Sequence, residues 1–93
     1  MRYVKVAWHH DFDDEPVLYF HEVGPDNYET RRVQTYRDGH SEWADENHET
    51  PSAGVAEIPI APIEEIASQP EFDAEEISQD QFEIEWAKAR NNV

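Results

Sequence analysis

Two hydrophobic periodicities divide this chain, and their order limits the folds open to it. Before residue 45 the chain runs in short stretches that alternate, as in residues 2–8, or are rich in β-formers, each bounded by turn signals. Such stretches read as extended strands. Only near the C-terminus does the spacing become helical. In residues 2–8, RYVKVAW, Val4, Val6 and Trp8 share one face, and Tyr3, Lys5 and Ala7 share the other. HHDFDDEP breaks the pattern, with Pro16 closing a loop. Residues 17–23, VLYFHEV, read as a second strand rich in β-formers. Gly24-Pro25-Asp26-Asn27 is a turn, and residues 28–36 form a third strand. Asp38-Gly39 predicts a two-residue hairpin turn, because glycine tolerates the positive φ of a type I′ turn. Residues 40–44 pair back as a fourth strand.

Residues 45–56 are polar and small, with Pro51 and Gly54, and read as a mobile loop. Residues 55–60 could add a short edge segment, although Pro59 removes one ladder donor. Pro62 suits the first position of a short helix over 62–68, with Ile63 and Ile66 on one side, and Pro70 stops it. The last element is a longer helix. Ser78 caps it, and Gln81 three residues on completes a capping box. Phe82, Trp86 and Ala89 form an i, i+4, i+7 stripe able to pack on a sheet. Asp80 and Glu83 lie near the positive end of its dipole, Lys88 and Arg90 near the negative end. The expected fold is therefore α+β. It comprises a small antiparallel sheet of about four strands, with one short and one longer C-terminal helix packed on one face. Ninety-three residues without repeat or linker make one domain, 1–93.

Charge sets the class of partner. Residues 38–87 contain fifteen carboxylates and no Lys or Arg. Residues 1–37 are nearly balanced, with five cations against seven carboxylates, so the acidic block supplies the net charge of −15. Such a block repels nucleic acid and anionic membranes and attracts basic surfaces. Nucleic-acid binding is further disfavoured because phosphate contacts dominate such affinity. The aromatic content of 12% argues against disorder despite the charge. Cysteine is absent, which removes disulfides, thiol nucleophiles and Cys-based zinc sites. MRYVKVAWHH has no apolar signal core, and no stretch reaches the ~20 apolar residues of a membrane span. A soluble, cytoplasmic protein is expected.

Several clusters invite chemistry. His9, His10, Asp11, Asp13, Asp14 and Glu15 are the densest set of potential metal ligands. Adjacent histidines on an extended chain point to opposite sides, however, and the glycine of a Ca²⁺ loop is missing. No metal or other cofactor is assigned. His9, His21 or His40 could act as a base oriented by Asp11 or Glu22. The available hydroxyls, Ser41, Thr50, Ser52, Ser68 and Ser78, stand in no nucleophile-elbow context. Arg31 and Arg32 face opposite sides of a strand. The favoured reading pairs one of them with the acidic half, or with Glu22 or Glu29 across the sheet.

Trp8-His9-His10-Asp11-Phe12 followed by Asp14-Glu15-Pro16-Val17 resembles the opening of a family of small uncharacterised domains from bacteria and their phages. Arg31-Arg32-Val33, Tyr36-Arg37-Asp38-Gly39, Ile58-Pro59, Ile63-Glu64-Glu65-Ile66 and the Glu-x-Trp-Ala-Lys-Ala segment extend the likeness over nearly the whole chain. The resemblance implies a common fold and brings no activity. By analogy alone, some small acidic domains of this sort act as immunity proteins or phage-borne inhibitors.

The expected function is a non-enzymatic binding protein that inhibits or neutralises a basic protein, such as a nuclease toxin or a nucleic-acid-binding defence protein. Immunity protein and counter-defence DNA mimic are two versions of it. Tyr36 and Trp43 are candidate aromatic anchors. Asp45, Glu46, Glu49, Glu57, Glu64 and Glu65 are the candidate partner-binding carboxylates, with Glu71, Asp73, Glu75, Glu76 and Asp80 as further material. Two alternatives remain. One is a small metal-dependent or acid–base enzyme built on the His9–Glu15 loop. The other is a structural or regulatory domain whose acidic surface only keeps it soluble.

Overall fold

Strand signals and caps explain most of the architecture in the computed structural model, which describes residues 1–91. In chain order the elements are β1 (Arg2–Trp8), β2 (Pro16–Val23), β3 (Glu29–Tyr36), β4 (Ser41–Asp45), α1 (Ile63–Ala67), β5 (Phe72–Glu76) and α2 (Gln79–Asn91). The fold is α+β, with a five-stranded antiparallel sheet in the order β4-β3-β2-β1-β5. Strands β1 to β4 form successive hairpins. The chain then returns through a long connection to lay β5 along the outer side of β1.

The sheet thus has one strand more than the sequence predicts. The additional strand is Phe72–Glu76, whereas residues 55–60 form no strand. That segment instead crosses the sheet, and the Ile60 N–H bonds the Asn27 carbonyl at 2.8 Å. The β3–β4 turn also differs from expectation. Tyr36 N–H bonds His40 O and Gly39 N–H bonds Tyr36 O. Only Gly39 has positive φ there, +93°, so the turn is a three-residue loop with glycine in the left-handed position rather than type I′.

Helix α2 covers one face of the sheet. Its stripe of Phe82, Trp86 and Ala89 is buried against Tyr3, Phe20 and Val33, with Leu18, Trp43 and Ile77 packed around them. Its capping box forms as the sequence indicates. Ser78 Oγ accepts the Gln81 N–H at 3.1 Å, and Gln81 Oε1 accepts the Ser78 N–H at 2.9 Å. The opposite face buries Val4, Val6, Val23 and Ala44. The β4–α1 connection is tied to that face. Ser52 O accepts from Gln34, Ala56 N–H donates to Glu29, and Ala53 is buried. Helix α1 packs beside β5. Pro62 sits at its N-cap rather than its first turn. Ile66 lines a recess on the face away from α2, with Val6, Trp8, Tyr19, His21, Arg32 and Phe72. No helix among the described residues is long and apolar enough to cross a membrane.

Candidate functional site: internal ion pairs and two acidic edges

The adjacent arginines of β3 project from opposite faces, and each meets a buried carboxylate. On the α2 side, Arg31 grips Glu22 through Nε at 2.8 Å and Nη2 at 2.5 Å. It also grips Glu83 of α2 at 3.0 and 2.7 Å. Its guanidinium lies 4.8 Å from the ring centroids of both Phe82 and Trp86. Glu22 further accepts from Thr30 Oγ1 at 2.7 Å and from the Tyr3 hydroxyl at 3.0 Å. One arginine therefore joins strand, sheet neighbour and helix. Both pairings read from the sequence occur at once, with Glu22 across the sheet and Glu83 in the acidic half.

On the other face, Arg32 bonds the Glu29 carboxylate at 3.1 Å and Gln34 at 3.2 Å. His21 Nδ1 closes on the same carboxylate, whose side chain is fully buried. Ala56 N–H supplies another donor at 2.8 Å. Sequence reasoning offers Asp11 or Glu22 as partner for His21, but the structure supplies Glu29. A β-bulge between Glu22 and Val23 advances β3 by one residue, pairing Val23 with Glu29 and carrying that carboxylate to the His21 face.

These contacts fix the ionisation of the carboxylates. The Arg31 hydrogen bonds outweigh the opposing burial at Glu22, and its pKa falls to about 2 from an ordinary 4.5. Arg31 in turn is held charged more firmly than usual by Glu22. Burial opposes ionisation of Glu29, but His21 and Arg32 together bring its pKa below the ordinary value. Arg31 lowers that of Glu83. Burial, then the Glu22 hydrogen bond, raises that of the Tyr3 phenol.

A depressed folded-state pKa adds stability above the unfolded value, and that stability is lost as pH falls toward the folded value. The Glu22 contribution is therefore complete above about pH 4.5 and drains toward pH 2. Protonation of the exposed carboxylates relieves self-repulsion over the same range, but it does so equally in a Glu22→Gln variant. The urea midpoint of the parent is expected to fall further than that of the variant between pH 5 and pH 2. Parallel curves would show that Glu22 carries no such linkage.

His9, His10 and Asp11 line one recess with Trp8, Tyr36 and Arg37, but the histidine side chains bond to different partners. His9 turns to Asp73 of β5, with Nε2 to Oδ2 at 2.6 Å. His10 turns back into its own loop, where Nε2 meets Pro16 O and Nδ1 accepts the Phe12 N–H. The two rings diverge. Among the described residues no group of three or more His, Asp or Glu is placed to hold a metal. Asp11, Asp13, Asp14 and Glu15 are exposed. Asp13 lies 3.7 Å from Arg37. His40 pairs with Asp38 and stacks on Tyr36. The hydroxyl candidates serve local structure: Ser41 meets Thr35, Thr50 meets Glu42, Ser68 bonds Glu65 O and Ser78 caps α2. Ser52 lies in the turn held by Thr50. None of the five hydrogen-bonds a histidine among the described residues.

The candidate anchor rings point inward. Tyr36 is 7% exposed and its hydroxyl accepts from Gln34. Trp43 is half-buried, stacked on His48 and set edge-on to Trp86 at 5.2 Å. The carboxylates lie outside, but not together. Asp45, Glu46 and Glu49 follow or end β4 at one edge of the sheet. Glu64 and Glu65 of α1 lie beside the other edge, with Glu71, Asp73, Glu75 and Glu76 on or next to β5. The strand order puts four interstrand spacings between β4 and β5, roughly 19 Å. Glu57 lies exposed on the connection that crosses the sheet, and Asp80 is exposed in the first turn of α2.

Apart from Asp45, which is partly covered, these carboxylates are exposed. The densest set is the second edge, six carboxylates within residues 64–76. Lys5 is the cation nearest in register, opposite Glu75.

No curated protein and no solved structure matches the chain significantly. A model of one family, described as a domain of unknown function, DUF6881, matches residues 2–91, which agrees with the near full-length resemblance carried by the Trp8–Val17 opening. The chain belongs to the DUF6881 family.

Proposed function

We propose that this protein acts by binding rather than catalysis, and that it neutralises a basic protein by covering a positively charged surface. One observation carries the reading. The arginines of β3 are engaged by Glu22, Glu29 and Glu83, and the acidic surface around α1 and β5 is left almost uncompensated. Such a surface accelerates capture of a basic partner and makes the complex salt-sensitive. A nuclease toxin or a nucleic-acid-binding defence protein of the cytoplasm is the favoured target, because its phosphate-binding cleft presents the complementary charge. Since Tyr36 and Trp43 face inward, the desolvated centre of the interface falls to the recess of Trp8, Ile66 and Phe72 next to the acidic edge.

The test is capture from host lysate by the tagged protein at low salt and at roughly 0.5 M, where the screening length is a few ångströms. It is run beside a variant carrying Gln at Glu64, Glu65, Glu71, Glu75 and Glu76. One basic protein should be retained at low salt, weakened at high salt, and recovered at least tenfold less on the variant. Equal recovery by both proteins, or no basic protein at either salt, would reject charge-driven capture.

A further inference from the structure

Strand β5 ends the sheet with a backbone edge that no strand among the described residues pairs. Its bonding pattern defines which groups are free. Ile77 N–H bonds Tyr3 O, and His9 N–H bonds Glu71 O. The odd-numbered residues of β5 therefore bond inward to β1, and the even-numbered ones direct their N–H and C=O away from the sheet. The Phe72 N–H turns back to Gln69 O, which leaves Ala74 and Glu76 as the outward pairs. Unpaired edges of this kind template a further strand.

The side chains along this edge choose what that strand can be. Asp73 and Glu75 point to the α2 side, with Lys5 and Ala7 opposite them on β1. Phe72 and Ala74 point to the other side, toward the recess that holds Trp8 and Ile66. A second copy of this chain is disfavoured, because two such edges side by side would juxtapose their own carboxylates. We infer that the β5 edge accepts an extended basic segment of the partner as a sixth strand, with Lys or Arg on the side of Asp73 and Glu75 and small apolar residues on the side of Phe72 and Ala74. This inference rests on the charge-capture reading and specifies its geometry. Main-chain bonds to Ala74 and Glu76 supply affinity, and the alternation of side chains supplies selectivity.

The experiment uses an eight-residue peptide alternating lysine and valine, titrated into the full chain at low salt. Two variants separate backbone from charge. Ala74→Pro removes one outward donor and no charge, and proline is tolerated where an edge N–H faces solvent. Asp73→Asn with Glu75→Gln removes charge and no donor. Each is expected to weaken binding at least tenfold. Two further peptides, N-methylated at the valines or at the lysines, repeat the backbone test on unmodified protein, and one of them should lose tenfold. If Ala74→Pro and both methylated peptides bind like the parents while the charge variant is weakened, edge pairing is overturned and charge capture stands. If the charge variant binds like the parent, charge capture itself fails. Absence of peptide binding at low salt overturns the edge assignment.

Discussion

Replacing Arg31 by alanine is expected to destabilise the protein by about 3–5 kcal/mol, the range found when one partner of a buried ion pair is removed. The loss has three sources. Glu22, with a side chain 8% exposed, would keep only Tyr3 and Thr30 as side-chain donors. Glu83 would lose its tie to the sheet, leaving α2 docked by apolar contacts and by Arg90 over the Trp43 ring. The rings of Phe82 and Trp86 would lose the guanidinium that covers them. Pairing the change with Glu22→Gln should recover part of the loss, because the uncompensated charge goes with it. Urea unfolding at pH 7 checks both proteins. A loss under about 1 kcal/mol, in the range of a surface ion pair, would mean that the Arg31 cluster is solvent-screened in practice.

Phe82→Ala carries a comparable expectation, about 3–5 kcal/mol. Phe82 is 0% exposed, and its ring lies 5.3 Å from Tyr3 and 6.1 Å from Trp86. Truncation would open a cavity between helix and sheet where those rings are already fixed by other contacts. Domains of this kind have a total stability of ~5–15 kcal/mol, so the variant would retain a marginal fold. Its denaturant midpoint should drop while the slope stays constant. A changed slope would instead indicate that α2 detaches separately from the sheet.

Strands β1 to β4 are legible because each carries apolar residues, one face meeting α2 and the other the crossing connection, between clear turn signals. Helix α2 announces itself by its stripe and its Ser78–Gln81 cap. Strand β5 escapes detection because its sequence, FDAEE, buries only Phe72 and Ala74, and those partially. An edge strand of five residues needs neither a second apolar face nor a long alternation. The division of Arg31 and Arg32 between faces follows from strand geometry alone. The partnership of His21 with Glu29 does not, since it depends on a bulge whose position no residue in that stretch declares. The candidate interface was legible as charge but not as place. The same fifty residues that look like one acidic block are separated by the fold into two edges, because β5 returns to the far side of β1.

The facing of β3 also bears on how the chain avoids folding wrongly. Sliding β3 by one residue against β2 would turn Glu29 to the opposite face and part it from His21 of β2 in a single step. Val33, which is fully buried, would turn to the opposite side of the sheet. A misaligned hairpin would thus be penalised on both surfaces at once, before α2 or the crossing connection has arrived to enforce the alignment. Val33 on one face and the His21–Glu29 pair on the other work as a two-sided proofreading mark for strand alignment.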